Sequence, residues 1–260
     1  MHPDLVNLGF LHLKTYGFCM ALGFILSWKV AEKLSGRKEL SNLLLFLMFA
    51  GVLGSRLAYV IENWRTVFAA RPWTVFRVWE GGLVFYGGLI LAILTFFVWC
   101  RAKHEKAFAL ANLFAAVIPL GHAFGRIGCF FYGCCFGRRA TSSLAVVFPA
   151  HSPAWYAQIQ EGALPPDAVC SLPVLPTQLF EAAALLVLFA VLLLIYRRAR
   201  EFTAGAYLVL YGLIRFGLEF LRDDPRAHIG PLSIGQTISI GMIILGIAFL
   251  CYGHRLRNHR

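Results

Sequence analysis

Seven apolar runs, each close to the ~20 residues that a bilayer core demands, constrain this chain more than anything else in it. They lie near 14–33, 41–63, 81–100, 107–124, 177–196, 203–221 and 232–252. Backbone inside lipid must satisfy its own hydrogen bonds, so runs of this length read as helices. The composition agrees: 59% of the residues are hydrophobic and only 14% are charged, where a soluble domain carries about 25% charge. The expected fold is all-α, a polytopic membrane protein with seven transmembrane helices and one integral membrane domain over 1–260. The first run has no small-residue cleavage site behind it and reads as a span, not as a cleaved signal peptide.

The formal charge of +11 invites a nucleic-acid partner, but the positions of the basic residues argue against one. Lys29, Lys33, Arg37, Lys38, Arg101, Lys103, Lys106, Arg197, Arg198, Arg200, Arg255, Arg257 and Arg260 fall on short segments on one side of the spans. Lys14, Arg65, Arg71, Arg77, Arg126, Arg138, Arg139, Arg222 and Arg226 are spread over longer segments on the other. The dense side is expected to be cytoplasmic. That places the N-terminus outside, the C-terminus in the cytoplasm, and the 125–175 segment in a long outward-facing loop region.

Charges inside the spans carry the functional signal. Tyr211, Arg215, Glu219 and Arg222 share one face of the sixth helix, and Glu219, one turn from Arg215, is its natural partner. An arginine at mid-span costs roughly 2.5–3.5 kcal/mol on insertion scales, so it faces a cavity or the protein interior. The alternative is an ion pair that only fixes helix packing. Arg56, in the second span, has no helical carboxylate at good spacing; it meets another span or the interface, or snorkels to the outer surface. Glu181 opens the fifth span behind Pro176 and Thr177, where it also suits the helix dipole. Tyr86 stands between the pairs Gly81-Gly82 and Gly87-Gly88, which allow close helix packing or a close lipid headgroup. Tyr16, at the start of the first span, also fits an interfacial aromatic belt. Arginines converging on the outer half of the membrane form a phosphate clamp, and a phospholipid headgroup is the anion found at that depth.

The segment from Gly125 to Arg138 holds four glycines and three of the seven cysteines. Cys19, Cys100 and Cys251 sit in apolar runs as inert residues. Cys129, Cys134, Cys135 and Cys170 fall on the outward side, where disulfides are permitted. Structural pairing, a reactive thiol and a metal site all stay open for them. The spacing C-x4-C-C is not a recognised zinc pattern and His122, the one nearby imidazole, reads as a packed polar residue, so no metal is assigned.

In order and spacing the chain resembles the prolipoprotein diacylglyceryl transferases. The likeness rests on Tyr16-Gly17, Gly54-Ser55-Arg56-Leu57-Ala58-Tyr59-Val60, Arg77-Val78-Trp79-Glu80-Gly81-Gly82, Gly125-Arg126-Ile127-Gly128, Pro176-Thr177-Gln178-Leu179-Phe180-Glu181, and Tyr211-Gly212-Leu213-Ile214-Arg215-Phe216 with Glu219, Phe220 and Arg222. The resemblance implies an enzyme of the bacterial inner membrane, with its active site facing the periplasm. It would move the diacylglyceryl group of phosphatidylglycerol to the lipobox cysteine of a prolipoprotein, guided by that precursor's signal sequence, and release glycerol phosphate. Arg126 and Arg215 match the family's two essential arginines. Tyr86 and Glu219 join them as expected catalytic positions. Tyr16, Arg56, Gly87, Gly128, Glu181, Tyr211 and Arg222 are expected to bind or frame the substrate, and no cofactor is implied.

Two departures stand out. Where the family has Asn-Phe-x-Asn-Gly-Glu, this chain has Cys129-Phe130-Phe131-Tyr132-Gly133-Cys134, and Tyr86 replaces the family's usual histidine. A tyrosine hydroxyl gives up its proton far above neutral pH and makes a poor general base there. Two other readings therefore stand beside the transferase: the same donor with another acceptor (a small thiol, an alcohol or a lipid), and a non-catalytic lipid-binding or thiol-redox membrane protein.

Overall fold

The computed structural model describes residues 4–7, 12–78, 81–224 and 228–258. Trp79 and Glu80 of the motif before the third span, and Arg226 and Arg260 of the two basic sets, lie outside the described residues. The described chain is mostly helical. A short hairpin of β1 (Asp4–Asn7) and β2 (His12–Lys14) leads into α1 (Thr15–Ser35), α2 (Leu40–Glu62), α3 (Phe85–Ala102) and α4 (Ala107–Tyr132). Then come α5 (Pro153–Gln160), α6 (Thr177–Arg198) and α7 (Thr203–Glu219). A second hairpin, β3 (His228–Ile229) with β4 (Leu232–Ser233), precedes α8 (Ile234–Asn258). Five helices, α2, α3, α4, α6 and α8, are long and apolar enough to cross a membrane. The other two long helices are more polar or shorter: α1 carries Lys29, Glu32 and Lys33, and the 17 residues of α7 include Arg215 and Glu219.

The chain divides into two compact units, residues 32–110 and residues 1–31 with 111–260. In the smaller unit α2 and α3 touch backbone to backbone. A Cβ on Gly54 or on Gly87 would strike the other residue's carbonyl oxygen, the close approach that small residues permit between membrane helices. Outward, Phe49, Leu53, Ile61, Ile90 and Val98 stay exposed, as lipid-facing side chains do.

Arg56 turns from α2 into the segment that joins the two helices. Its Nε donates to the Val75 carbonyl at 2.8 Å, Nη2 to Thr74 at 2.6 Å, and Nη1 to Gly81 at 2.7 Å and Gly82 at 3.2 Å. The Tyr59 and Phe68 rings flank the guanidinium at 5.6 and 5.4 Å. Gly82, at φ +73°, presents its carbonyl from a conformation that side-chain-bearing residues rarely adopt, and its missing Cβ leaves room for the Tyr59 ring.

In the larger unit α4, α6, α7 and α8 share a core of Ala123, Leu185, Leu188, Leu192 and Tyr211, with Ile195, Ile214 and Met242 packed against it. The buried Asn112 of α4 accepts, through Oδ1, the otherwise unpaired Ala204 N–H in the first turn of α7 at 2.8 Å. That bond joins the starts of two helices, and the His122–Tyr211 ring contact lies further along both, so α4 and α7 run in the same direction. At 1.5 Å per residue, Arg126 sits about 21 Å and Arg215 about 17 Å beyond it. Counting along the helices thus brings both arginines to nearly the same level.

Helix α4 continues two turns past the expected end of its apolar run. Gly125 and Gly128 do not break it, because they lie against Met20, Tyr16 and Cys19 of α1. Beyond it, residues 133–176 fold around Phe136, Phe148, Ala154, Ala157 and Val174.

Two predictions follow from the smaller unit. Arg56→Met leaves four carbonyls without their donor and should cost about 3–5 kcal/mol. The 63–84 segment should then become the first site cut in limited proteolysis; parental stability and resistance would show that the cradle holds nothing. Arg37 and Glu105 join the α1–α2 and α3–α4 connections through two hydrogen bonds. Those bonds hold the Glu105 carboxyl below the usual carboxylate range. The stabilisation is present above the unfolded value and fades as pH falls through the folded one. Glu105→Gln should cost less than about 1 kcal/mol at neutral pH, and denaturation midpoints of variant and parent should converge in acid.

Candidate active site

Two buried carboxylates fix two part-buried guanidiniums in the larger unit. Glu181, in the first turns of α6 and 2% exposed, takes Arg126 Nε on Oε2 at 3.1 Å and the Tyr211 hydroxyl on Oε1 at 3.1 Å. Arg126 Nε also reaches His122 Nε2 at 3.2 Å. Tyr211 stacks on Tyr207 at 5.8 Å and meets the His122 ring edge-on at 5.2 Å. Glu219 takes Arg215 Nη2 at 2.9 Å and the Ser233 hydroxyl at 2.5 Å. Ser233 Oγ in turn accepts the Gln236 N–H at 3.1 Å. Glu219 therefore sits at the positive end of α8, where a carboxylate is stabilised.

Both arginines keep donors in reserve. Arg215 Nη1 is buried without a hydrogen-bond partner among the described residues, and the Arg126 contacts above use Nε alone. His122 and Tyr211 each lie within electrostatic reach of Arg126 and Arg215 together. Such an arrangement can receive a phosphate: each guanidinium is aimed from one side and open on another.

The remaining expected residues take different positions. Arg222 makes a two-bond fork to Asp224, Nε to Oδ1 at 2.9 Å and Nη2 to Oδ2 at 2.8 Å. Burial opposes its charge, and the fork with the nearby Cys135 sulfur outweighs that, raising the guanidinium above its ordinary range. Gly128 sits under Tyr16, whose ring a Cβ would meet at 3.0 Å. Arg56, Tyr86 and Gly87 belong to the smaller unit. There Arg56 gives its donors to backbone carbonyls, Gly87 makes the α2–α3 contact, and Tyr86 stands half-exposed in the first turn of α3 beside Phe85 at 5.7 Å. His122 escaped the sequence reading as a partner of Arg126, although its i, i+4 spacing was the available signal.

Next to Arg126 the chain makes a thiol-lined turn. Gly133, at φ +82°, ends α4, and the N–H groups of Gly133 and Cys134 return to the Cys129 carbonyl at 2.9 and 3.2 Å. Gln178 Nε2 donates to the Cys134 carbonyl at 2.6 Å and Thr177 Oγ1 to the Cys135 carbonyl at 2.8 Å. The sulfurs of Cys129, Cys134 and Cys135 come within 4.8 Å of one another, and none of the three is in a disulfide. Cys170 is not among them. Hydrogen bonds from Cys129 and Cys134 hold the Cys135 thiol well below the usual thiol range, helped by Arg222 and Arg126.

The sequence profile of the prolipoprotein diacylglyceryl transferases matches residues 3–252. The chain belongs to that family. It is similar to phosphatidylglycerol–prolipoprotein diacylglyceryl transferase 2 of Clostridium perfringens, 34% identical over 245 residues, covering 91% of this chain and 90% of the relative. The transferase of Mannheimia succiniciproducens is 35% identical over 272 residues, with 98% and 94% covered. That of Xanthomonas oryzae pv. oryzae is 32% identical over 272 residues, with 97% and 91% covered.

Glu181→Ala strands the Arg126 charge and should destabilise the protein by about 3–5 kcal/mol. The double variant with Arg126→Met should recover part of that loss. Denaturation midpoints of the four proteins give the coupling, and strict additivity would show that the pair does not interact.

Proposed function

We propose that this membrane transferase moves the diacylglyceryl group of phosphatidylglycerol to the cysteine thiol of a prolipoprotein and releases glycerol phosphate. The observation that carries the reading is the pair of guanidiniums, each fixed by a buried carboxylate and each with N–H groups left over. Arg126 and Arg215 hold the phosphate and stabilise the charge on it as the glyceryl C–O bond breaks. Glu219, Glu181 and Tyr211 keep the two arginines aimed. Tyr16 and Gly128 frame the approach beside the thiol turn, Arg222, held by Asp224, lies beside Cys135 of that turn, and Arg56 with Gly87 shapes the smaller unit that carries Tyr86. The S–C bond forms at the glyceryl carbon, the thiol proton is lost, and the C–O electron pair leaves with glycerol phosphate.

In this reading all seven long helices cross the bacterial inner membrane as one domain. The N-terminus lies outside, the C-terminus is cytoplasmic, and the site faces the periplasm. The supporting pattern is the clustering of lysine and arginine on the 29–38, 101–106, 197–200 and 255–257 segments. The precursor's signal sequence lies among the helices and presents its cysteine.

The test is transfer from phosphatidylglycerol vesicles to a lipobox peptide, followed by the mass shift of the peptide. Arg126→Ala and Arg215→Ala should each slow the transfer by about 10²–10³-fold. Either variant working at the parental rate would sink the clamp. A parent protein that modifies a small thiol but never the peptide would point to a different acceptor.

A further inference from the structure

The thiol turn is a built feature of this chain. Three sulfurs from residues 129, 134 and 135 converge within 4.8 Å. Gly133 and Cys135 both adopt positive φ, +82° and +61°, and for cysteine that conformation persists only where the surroundings enforce it. Here the enforcement is visible. Thr177 and Gln178, 2% and 1% exposed, grip the carbonyls of Cys135 and Cys134. Bonds of about 2.3 Å to a tetrahedral zinc put sulfurs about 3.8 Å apart, so closing on an ion takes a shift of about 1 Å or less. Three thiolates and Zn²⁺ leave one negative charge, set one helical turn from Arg126. The three cysteines are half-buried, so the turn can be reached. Three protein ligands and one open position is the pattern of a catalytic zinc, whereas structural zinc is closed by four.

We propose that Cys129, Cys134 and Cys135 bind one zinc ion, whose open fourth position takes the acceptor thiol and presents it as the attacking thiolate. The proposal rests on the transferase reading above and supplies the thiolate that its S–C bond-forming step needs. A thiol that coordinates zinc is deprotonated outright, so no side chain near neutral pKa is required. The incoming R–SH loses its proton to solvent as the Zn–S bond forms. A sulfur lone pair then attacks the glyceryl carbon, the C–O bond breaks, and its electron pair departs with the glycerol phosphate held by Arg126 and Arg215. The thioether product carries no charge and is a far weaker zinc ligand than the thiolate, so it leaves and reopens the position.

The full-length protein, purified reduced in detergent, should hold about one zinc per chain by elemental mass spectrometry. Cys129→Ser, Cys134→Ser and Cys135→Ser should each lower the affinity for zinc about tenfold or more, while Cys170→Ser should keep it. Cobalt in place of zinc should show thiolate charge-transfer bands that change when a lipobox peptide is added and stay unchanged with its serine counterpart. Chelation should abolish peptide modification and added zinc restore it, a test independent of whether the serine variants fold. Failure to bind zinc, binding of copper(I) in its place, or zinc retained in all three serine variants would overturn the site. Cobalt bands blind to the thiol peptide would overturn its role. Arg126→Ala should lose transfer and keep zinc. If zinc binds and the peptide thiol enters but no diacylglyceryl group moves even in the unaltered protein, the zinc site stands and the transferase reading falls.

Discussion

A guanidinium buried among apolar helices keeps its charge only where a carboxylate or a row of carbonyls faces it, and meeting that condition at four arginines organises this protein. Arg126 is met by Glu181 across a helix pair and Arg215 by Glu219 along one helix. Arg222 is met by Asp224 in a fork, and Arg56 by four backbone carbonyls. The degree of saturation separates their roles. Arg56 gives four hydrogen bonds to the fold and Arg222 a two-bond fork, and both act as rivets. Arg126 and Arg215 are aimed from one side and keep N–H groups outside their carboxylate pairs.

The long helices were legible because an apolar run of bilayer length has few other fates, and the Arg215–Glu219 pair because i, i+4 spacing alone brings the two together. The Arg126–Glu181 pair was not, since it depends on how α4 packs on α6, and no local pattern records that. Nor was the Arg56 cradle: its acceptors are main-chain carbonyls, which every residue possesses, so the sequence carries no mark of them. The extension of α4 was hidden by Gly125 and Gly128, which read as loop until their contacts with α1 are known. Asn112 shows the same limit. Its cap on α7 fixes the relative level of the two arginines, yet in the sequence it is one polar residue in an apolar run.

The cysteine segment was conspicuous from the start, but its geometry was not. Convergence of the three sulfurs depends on left-handed backbone at Gly133 and Cys135 and on the grip of Thr177 and Gln178. The glycine hints at the first; nothing near the cysteines announces the second. Thr177 and Gln178 open the same helix that carries Glu181 one turn later, so the start of α6 positions both the thiol turn and Arg126.

That shared support bears on the chemistry. Arg126 and Cys129 are three residues apart on one face of α4, a rise of about 4.5 Å. An in-line displacement needs the attacking sulfur and the departing phosphate oxygen on opposite sides of one carbon, with reacting atoms initially about 3–3.5 Å apart. In the proposed reaction the acceptor sulfur, held on zinc beside Cys129, would be carried on the same helical turn as the Arg126 guanidinium. The carboxylates that hold Arg126 and Arg215 come from α6 and α7 and owe nothing to the cysteines, so the two arginine pairs and the thiol turn can change independently of each other.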